Sequence, residues 1–252
     1  MKTGTNLPVF FYIIHIIIGE FMKNTLLVNL YAGPGAGKST GAAYIFAKLK
    51  MAGVDCEYVS EYAKDRVWQE DQFPLKHCQL YVTGKQCLKI TRLLGKVDVV
   101  VTDSPIAIGA MYTDEKPYQD VCIYEAKKYK NTYNLFVNRF KPYNPNGRNQ
   151  TEEEAKEIDR KIKAFLTDND LEFKEINGTE EGYNAIVQDI IDKLNKPKEQ
   201  TYLVMELAEN NDYVTSKVCE TENEAYLVAD HFTKETPNHK IQIISVDKDK
   251  GK

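Results

Sequence analysis

At 252 residues, 42% of them apolar and 28% charged, the chain is long enough for one α/β domain, or for a domain with a small appendage, and too apolar for a disordered polymer. A formal net charge of −4 excludes broad, charge-driven binding to nucleic acid, while leaving room for a local basic patch. Five scattered cysteines without a C-x-x-C pair, and four scattered histidines, exclude a disulfide scaffold and a zinc site and fit a reducing, cytoplasm-like compartment.

In chain order, Val9–Ile18 is an apolar run broken by His15. It is too short to span a membrane. It has the length of a signal-peptide core but lacks a small-x-small cleavage site. Because Met22 lies just before the first core strand, residues 1–22 are expected to be a leader outside the fold. An edge strand and a membrane-surface anchor are the alternatives.

Leu26–Tyr31 then reads as a strand, and Ala32-Gly33-Pro34-Gly35-Ala36-Gly37-Lys38-Ser39-Thr40 follows it directly. This is the spacing of a phosphate-binding P-loop in its alanine-first form. Glycines at 33, 35 and 37 allow backbone conformations that bring successive N–H groups to phosphate oxygens. Lys38 supplies a charge for the β- and γ-phosphates and Ser39 a hydroxyl for Mg²⁺. The loop opens a helix over Ser39–Met51, whose positive end faces the anion. Residues 33–40 are therefore the expected ATP site.

Cys56–Ser60 reads as a second strand ending at Glu61, and Leu75–Leu94 as a helix stopped by Gly95. Val97–Val101 is a β-branched run suited to a central parallel strand, and it feeds Thr102-Asp103-Ser104-Pro105. Ser104 is expected to cap a following helix with Pro105 at its first position. A helix over Pro117–Lys130 and a strand over Thr132–Asn138 come next, then a Pro- and Gly-bearing loop over Arg139–Asn149. Thr151 and Glu154 form a capping box for a helix with Ala155, Ile158, Ile162, Phe165 and Leu166 on one face. Leu171–Ile176 is expected as the fifth strand. A closing helix carries Tyr183, Ile186, Val187, Ile190, Ile191 and Leu194.

The alternation predicts an α/β fold, a mostly parallel five-stranded sheet with helices on both faces, over residues 23–195. Asn195–Gln200 reads as a linker. Beyond it, residues 201–252 read as a small β-β-α-β unit whose helix is capped by Thr221 and Glu224. A unit of this size is expected to need support from the core or a partner, and to serve substrate engagement or oligomerisation.

Function in parallel α/β sheets gathers at the C-terminal strand ends. Glu61 is placed to accept a proton from a hydroxyl undergoing phosphorylation, a helix-dipole charge being the bland alternative. Asp103 is placed to hold Mg²⁺ together with Ser39, a helix cap being its competitor. Arg139, Lys141 and Arg148 are expected on a lid, residues 139–150, that closes over the moving phosphoryl group. Tyr62 and Trp68 are candidates for stacking on a base.

Together, Ala32–Thr40, Glu61-Tyr62-Ala63-Lys64, Thr102-Asp103-Ser104-Pro105 and the Arg139–Arg148 loop resemble P-loop kinases of the nucleoside and nucleotide kinase group, and most closely the ribosylnicotinamide-kinase-like branch. They are also similar to bacteriophage P-loop kinases, some of which phosphorylate 5-hydroxymethyluracil in DNA. The resemblance implies ATP and Mg²⁺ as cofactors. It implies Lys38, Glu61, Asp103, Arg139 and Arg148 as catalytic residues, and a cytoplasmic setting, a host's if the gene is a phage's. The acceptor it implies is a nucleoside, a nucleotide or a hydroxylated base in DNA. Lys64 stands where ribosylnicotinamide kinases tend to have arginine. Two other classes stay open: a P-loop ATPase or switch driving a partner, and a nucleotide-binding adaptor without turnover.

Overall fold

The computed structural model describes residues 24–140, 151–196, 200–209 and 213–247. The leader expected over residues 1–22 lies outside them. The described chain divides into two compact units, one over Asn24–Asn195 and one beginning at Lys196.

In the larger unit, strand β1 (Leu26–Tyr31) and strand β3 (Val99–Thr102) are buried at every residue, as parallel strands covered on both faces must be. β1 pairs with β3 from Leu26↔Val99 to Asn29↔Thr102, and with β4 (Thr132–Asn138) on its other side. Strand β2 (Cys56–Val59) pairs with β3, and β5 (Lys174–Asn177) with β4. The result is a five-stranded sheet, all parallel, in the order β2-β3-β1-β4-β5. The period of two along β1 then sorts the core. Leu26, Val28 and Leu30 join Ile45 and Leu49 of helix α1 (Lys38–Met51), while Leu27 joins Val100 and Ile90 in a separate cluster.

Several boundaries differ from the sequence reading. The helix expected over Leu75–Leu94 is two helices, α3 (Phe73–His77) and α4 (Gln79–Thr91), parted by Cys78 in a non-helical conformation, φ −148° and ψ 69°. After β3, Pro105 rather than Ser104 takes the capping position of a 3₁₀ helix, Ile106–Tyr112, and no side chain caps it. The short α2 (Tyr62–Trp68) follows β2, and α5 (Lys116–Lys127) precedes β4. Helix α6 (Glu152–Asp168) begins with the capping box, Thr151 Oγ1 accepting from Glu154 N–H at 3.2 Å and Glu154 Oε2 from Thr151 N–H at 2.7 Å. Helix α7 (Glu180–Asn195) closes the unit.

The smaller unit is antiparallel. Strands β6 (Gln200–Leu207), β7 (Tyr213–Cys219) and β8 (Lys240–Asp247) lie in the order β7-β6-β8. Helix α8 (Glu222–Glu235) begins at Thr221, whose side chain accepts from Glu224 N–H. Val204, Cys219, Ala225 and Val228 form a core of its own.

Candidate nucleotide and acceptor site

The loop between β1 and α1 has the geometry that its glycines permit. Gly35 and Gly37 take φ of 80° and 105°, a left-handed region costly for any residue with a Cβ. Gly33 is required for space instead. A Cβ there would sit 2.8 Å from Ala155 O and from Asp159 Oδ1. Lys38 Nζ turns back onto its own loop, donating to Ala32 O at 2.5 Å and to Gly33 O at 3.1 Å. Burial pulls the Lys38 ammonium below its ordinary pKa, opposed by the charges of Glu61, Asp103 and Asp159. Ser39 and Thr40 are exposed on the first turn of α1.

Because β1 and β3 are neighbours, the chain leaving β3 delivers Asp103 beside the loop. Asp103 is 5% exposed and lies near the Tyr58 hydroxyl, whose pKa is raised by burial and by the Asp103 charge, yet its Oδ1 is buried without a partner. An orphaned carboxylate oxygen beside a phosphate loop is what a cation would satisfy. That oxygen of Asp103 fits Mg²⁺ held with nucleotide phosphates; Ser39, the other expected ligand, is exposed on α1. Among the described residues no group of three acidic, histidine or cysteine side chains forms a cage for a metal by itself.

Glu61 occupies the capping position of α2, but its side chain makes no capping hydrogen bond; a negative charge at this end of the helix still suits its dipole. Burial raises its carboxyl pKa. Lys38 opposes that rise and Asp103 adds to it. Glu61 also lines a cavity of about 250 Å³ with Tyr62, Gln86, Ser104, Pro105, Ile106 and Tyr112 among its walls. It is the one charged residue among the described lining residues. Gln86 shapes this cavity from within α4. Its Oε1 accepts from Tyr62 N–H at 2.8 Å and its amide nitrogen donates to Thr102 Oγ1 at 3.5 Å. Trp68 is 78% exposed and is not among the lining residues. A larger cleft, about 510 Å³, is lined by Asn29, Lys130, Asn134 and Lys174 and by no P-loop residue.

A family model described as an AAA domain matches residues 27–182. The chain belongs to the AAA domain family. The match spans the site from the loop after β1 to Asp159, and carries with it nucleotide binding through a P-loop. No curated protein matches the chain. No helix among the described residues is long and apolar enough to cross a membrane.

Within this AAA domain, Arg139 departs from the sequence expectation. It was expected on a lid, and instead it is anchored to the phosphate loop. Its Nη1 donates to Pro34 O at 2.6 Å, its Nη2 to Ala155 O at 3.1 Å and its Nε to Asp159 Oδ2. The physical reason is the neighbouring carboxylate. Asp159 on α6 pairs with the guanidinium while its Oδ1 accepts from Gly33 N–H at 2.5 Å. Lys141 and Arg148, the other expected lid cations, lie outside the described residues, as does most of the 139–150 loop. Sequence reading missed Asp159 and Gln86. The signal for both was a polar residue inside an apolar helical stripe, Ala155-Asp159-Ile162-Leu166 and Val82-Gln86-Ile90. Tyr183 lies on the expected face of the closing helix. It does pack, and its hydroxyl also donates to Gly37 O at 3.2 Å.

Proposed function

We propose that the protein transfers the γ-phosphoryl group of ATP to a hydroxyl of a nucleoside, a nucleotide or a modified base in DNA. The observation that supports this reading is the position of Glu61. It is a carboxylate of raised pKa in the wall of an otherwise uncharged cavity, electrostatically coupled to Lys38 and Asp103 of the phosphate site.

In this reading the N–H groups and Lys38 of the loop hold the phosphates, and the neutral cavity seats the part of the acceptor that bears the hydroxyl. Glu61 takes the hydroxyl proton as the acceptor oxygen bonds to phosphorus and the bond to ADP breaks. Asp103 and Ser39 would hold Mg²⁺, which neutralises charge on the phosphates. The resemblance to ribosylnicotinamide-kinase-like and bacteriophage P-loop kinases favours 5-hydroxymethyluracil in DNA as the leading specific acceptor. It also favours a cytoplasmic setting, the host's for a phage gene. The C-terminal unit would serve substrate engagement or oligomerisation.

The test is ATP turnover against free nucleosides, nucleotides, plain DNA and hydroxymethylated DNA, for the wild type and Glu61→Gln. Acceptor-dependent ADP release that falls by about 10²–10⁴-fold in the variant, with ATP affinity retained, is the expected result. ADP release indifferent to every acceptor and to Glu61 would replace this reading with that of an ATPase or switch.

A further inference from the structure

The Ala32–Gly33 peptide is bonded on both sides. Its carbonyl accepts from Lys38 Nζ at 2.5 Å and its N–H donates to Asp159 Oδ1 at 2.5 Å. In a trans peptide these two groups point in opposite directions, so fixing one fixes the other. Asp159 is itself fixed by Arg139 through Nε, and the same guanidinium reaches Pro34 O and Ala155 O. Both side chains are 15% exposed, where an ion pair is screened less than at the surface. The absence of a side chain at Gly33 lets this pair approach the backbone.

We propose that Asp159 and Arg139 are positioning residues for Lys38. They act through the Ala32–Gly33 peptide plane and hold the loop in the one orientation from which the lysine swings between its own carbonyls and a nucleotide phosphate. Arg139 thereby acts on the shape of the phosphate loop and not as a mobile charge over the transferred group. This rests on the P-loop binding nucleotide and is independent of the acceptor.

The experiment is a double-mutant cycle on the full-length protein, read as ATP·Mg affinity by calorimetry or a fluorescent ATP analogue. Asp159→Ala is expected to weaken binding about 10-fold, within the range of coupled neighbours. The same change in a Lys38→Met background is expected to cost less than about twofold, because the group it positions is gone. Asp159→Asn keeps an oxygen for Gly33 N–H and should recover binding to within about threefold of wild type. Arg139→Lys keeps the charge but loses the fork to Pro34 and Ala155. It should also weaken binding only when Lys38 is present, and it serves as the second entry to the cycle if Asp159→Ala fails to fold. Equal losses in both backgrounds, or an asparagine no better than alanine, would overturn the proposal by making the pair merely structural. A wild-type protein that binds no ATP would overturn the nucleotide site itself, and the positioning role with it.

Discussion

Replacing Gly41 by alanine tests the packing that holds the phosphate loop against α7. In an exposed helix interior this change gains about 1 kcal/mol, because glycine is a poor helix former. Gly41 is buried, and a Cβ there would lie 2.4 Å from Cε1, 2.6 Å from Cζ and 2.9 Å from the hydroxyl oxygen of Tyr183. The ring cannot swing clear, being 4% exposed and bonded to Gly37 O. Overpacking of this kind costs about 1–3 kcal/mol. With three ring atoms inside contact distance the upper half applies, leaving a net loss of about 1–2 kcal/mol after the propensity gain. For a domain of this size that is a fall of about 2–8 °C in Tm. Urea and thermal unfolding followed by circular dichroism measure the loss, and hydrogen exchange at α1 and α7 localises it. In a Tyr183→Leu background the same substitution should become neutral or stabilising by about 1 kcal/mol. A Gly41→Ala protein more stable than wild type would refute the contact, and with it the account of how α7 braces Gly37.

Three further outcomes are expected. Since burial holds the Glu61 carboxyl above the ordinary glutamate range, the acceptor kcat/KM should fall on the acid side with an apparent pKa above that of an ordinary glutamate, and Glu61→Gln should flatten that limb. The sign for stability is opposite. A carboxyl whose folded pKa is raised loses stability as the pH rises from its unfolded pKa through its folded one, and the loss is complete at neutral pH, so Glu61→Gln should there be more stable than wild type while slower, which paired activity and unfolding measurements at several pH values decide. Ending the chain at Asn195 should leave ATP affinity within about twofold, because every described residue of the site lies in the Asn24–Asn195 unit, which has its own core; calorimetry on the shortened and full chains checks this, and a shortened chain that does not fold would move the boundary.

What the sequence determined by itself was everything set by local spacing. The P-loop was legible because Gly33, Gly35 and Gly37, which a phosphate cradle needs, stand in one short stretch that runs into Lys38 and Ser39. The buried strands were legible because a β-branched run such as Val99–Val101 has few alternatives, and the α6 start because a capping box is a four-residue pattern. Glu61 and Asp103 could be named because parallel sheets gather their strand ends at one edge, although their proximity to Lys38 follows only from β1 pairing directly with β3. Tertiary structure alone decided the rest. Cys78 parts two helices that periodicity had joined, since periodicity reports a face and not its continuity. Arg139 was assigned from its loop, where its partner is invisible. The carboxylate that claims it, Asp159, lies on the next helix, and a salt bridge between elements is set by how they pack and by no pattern within either one.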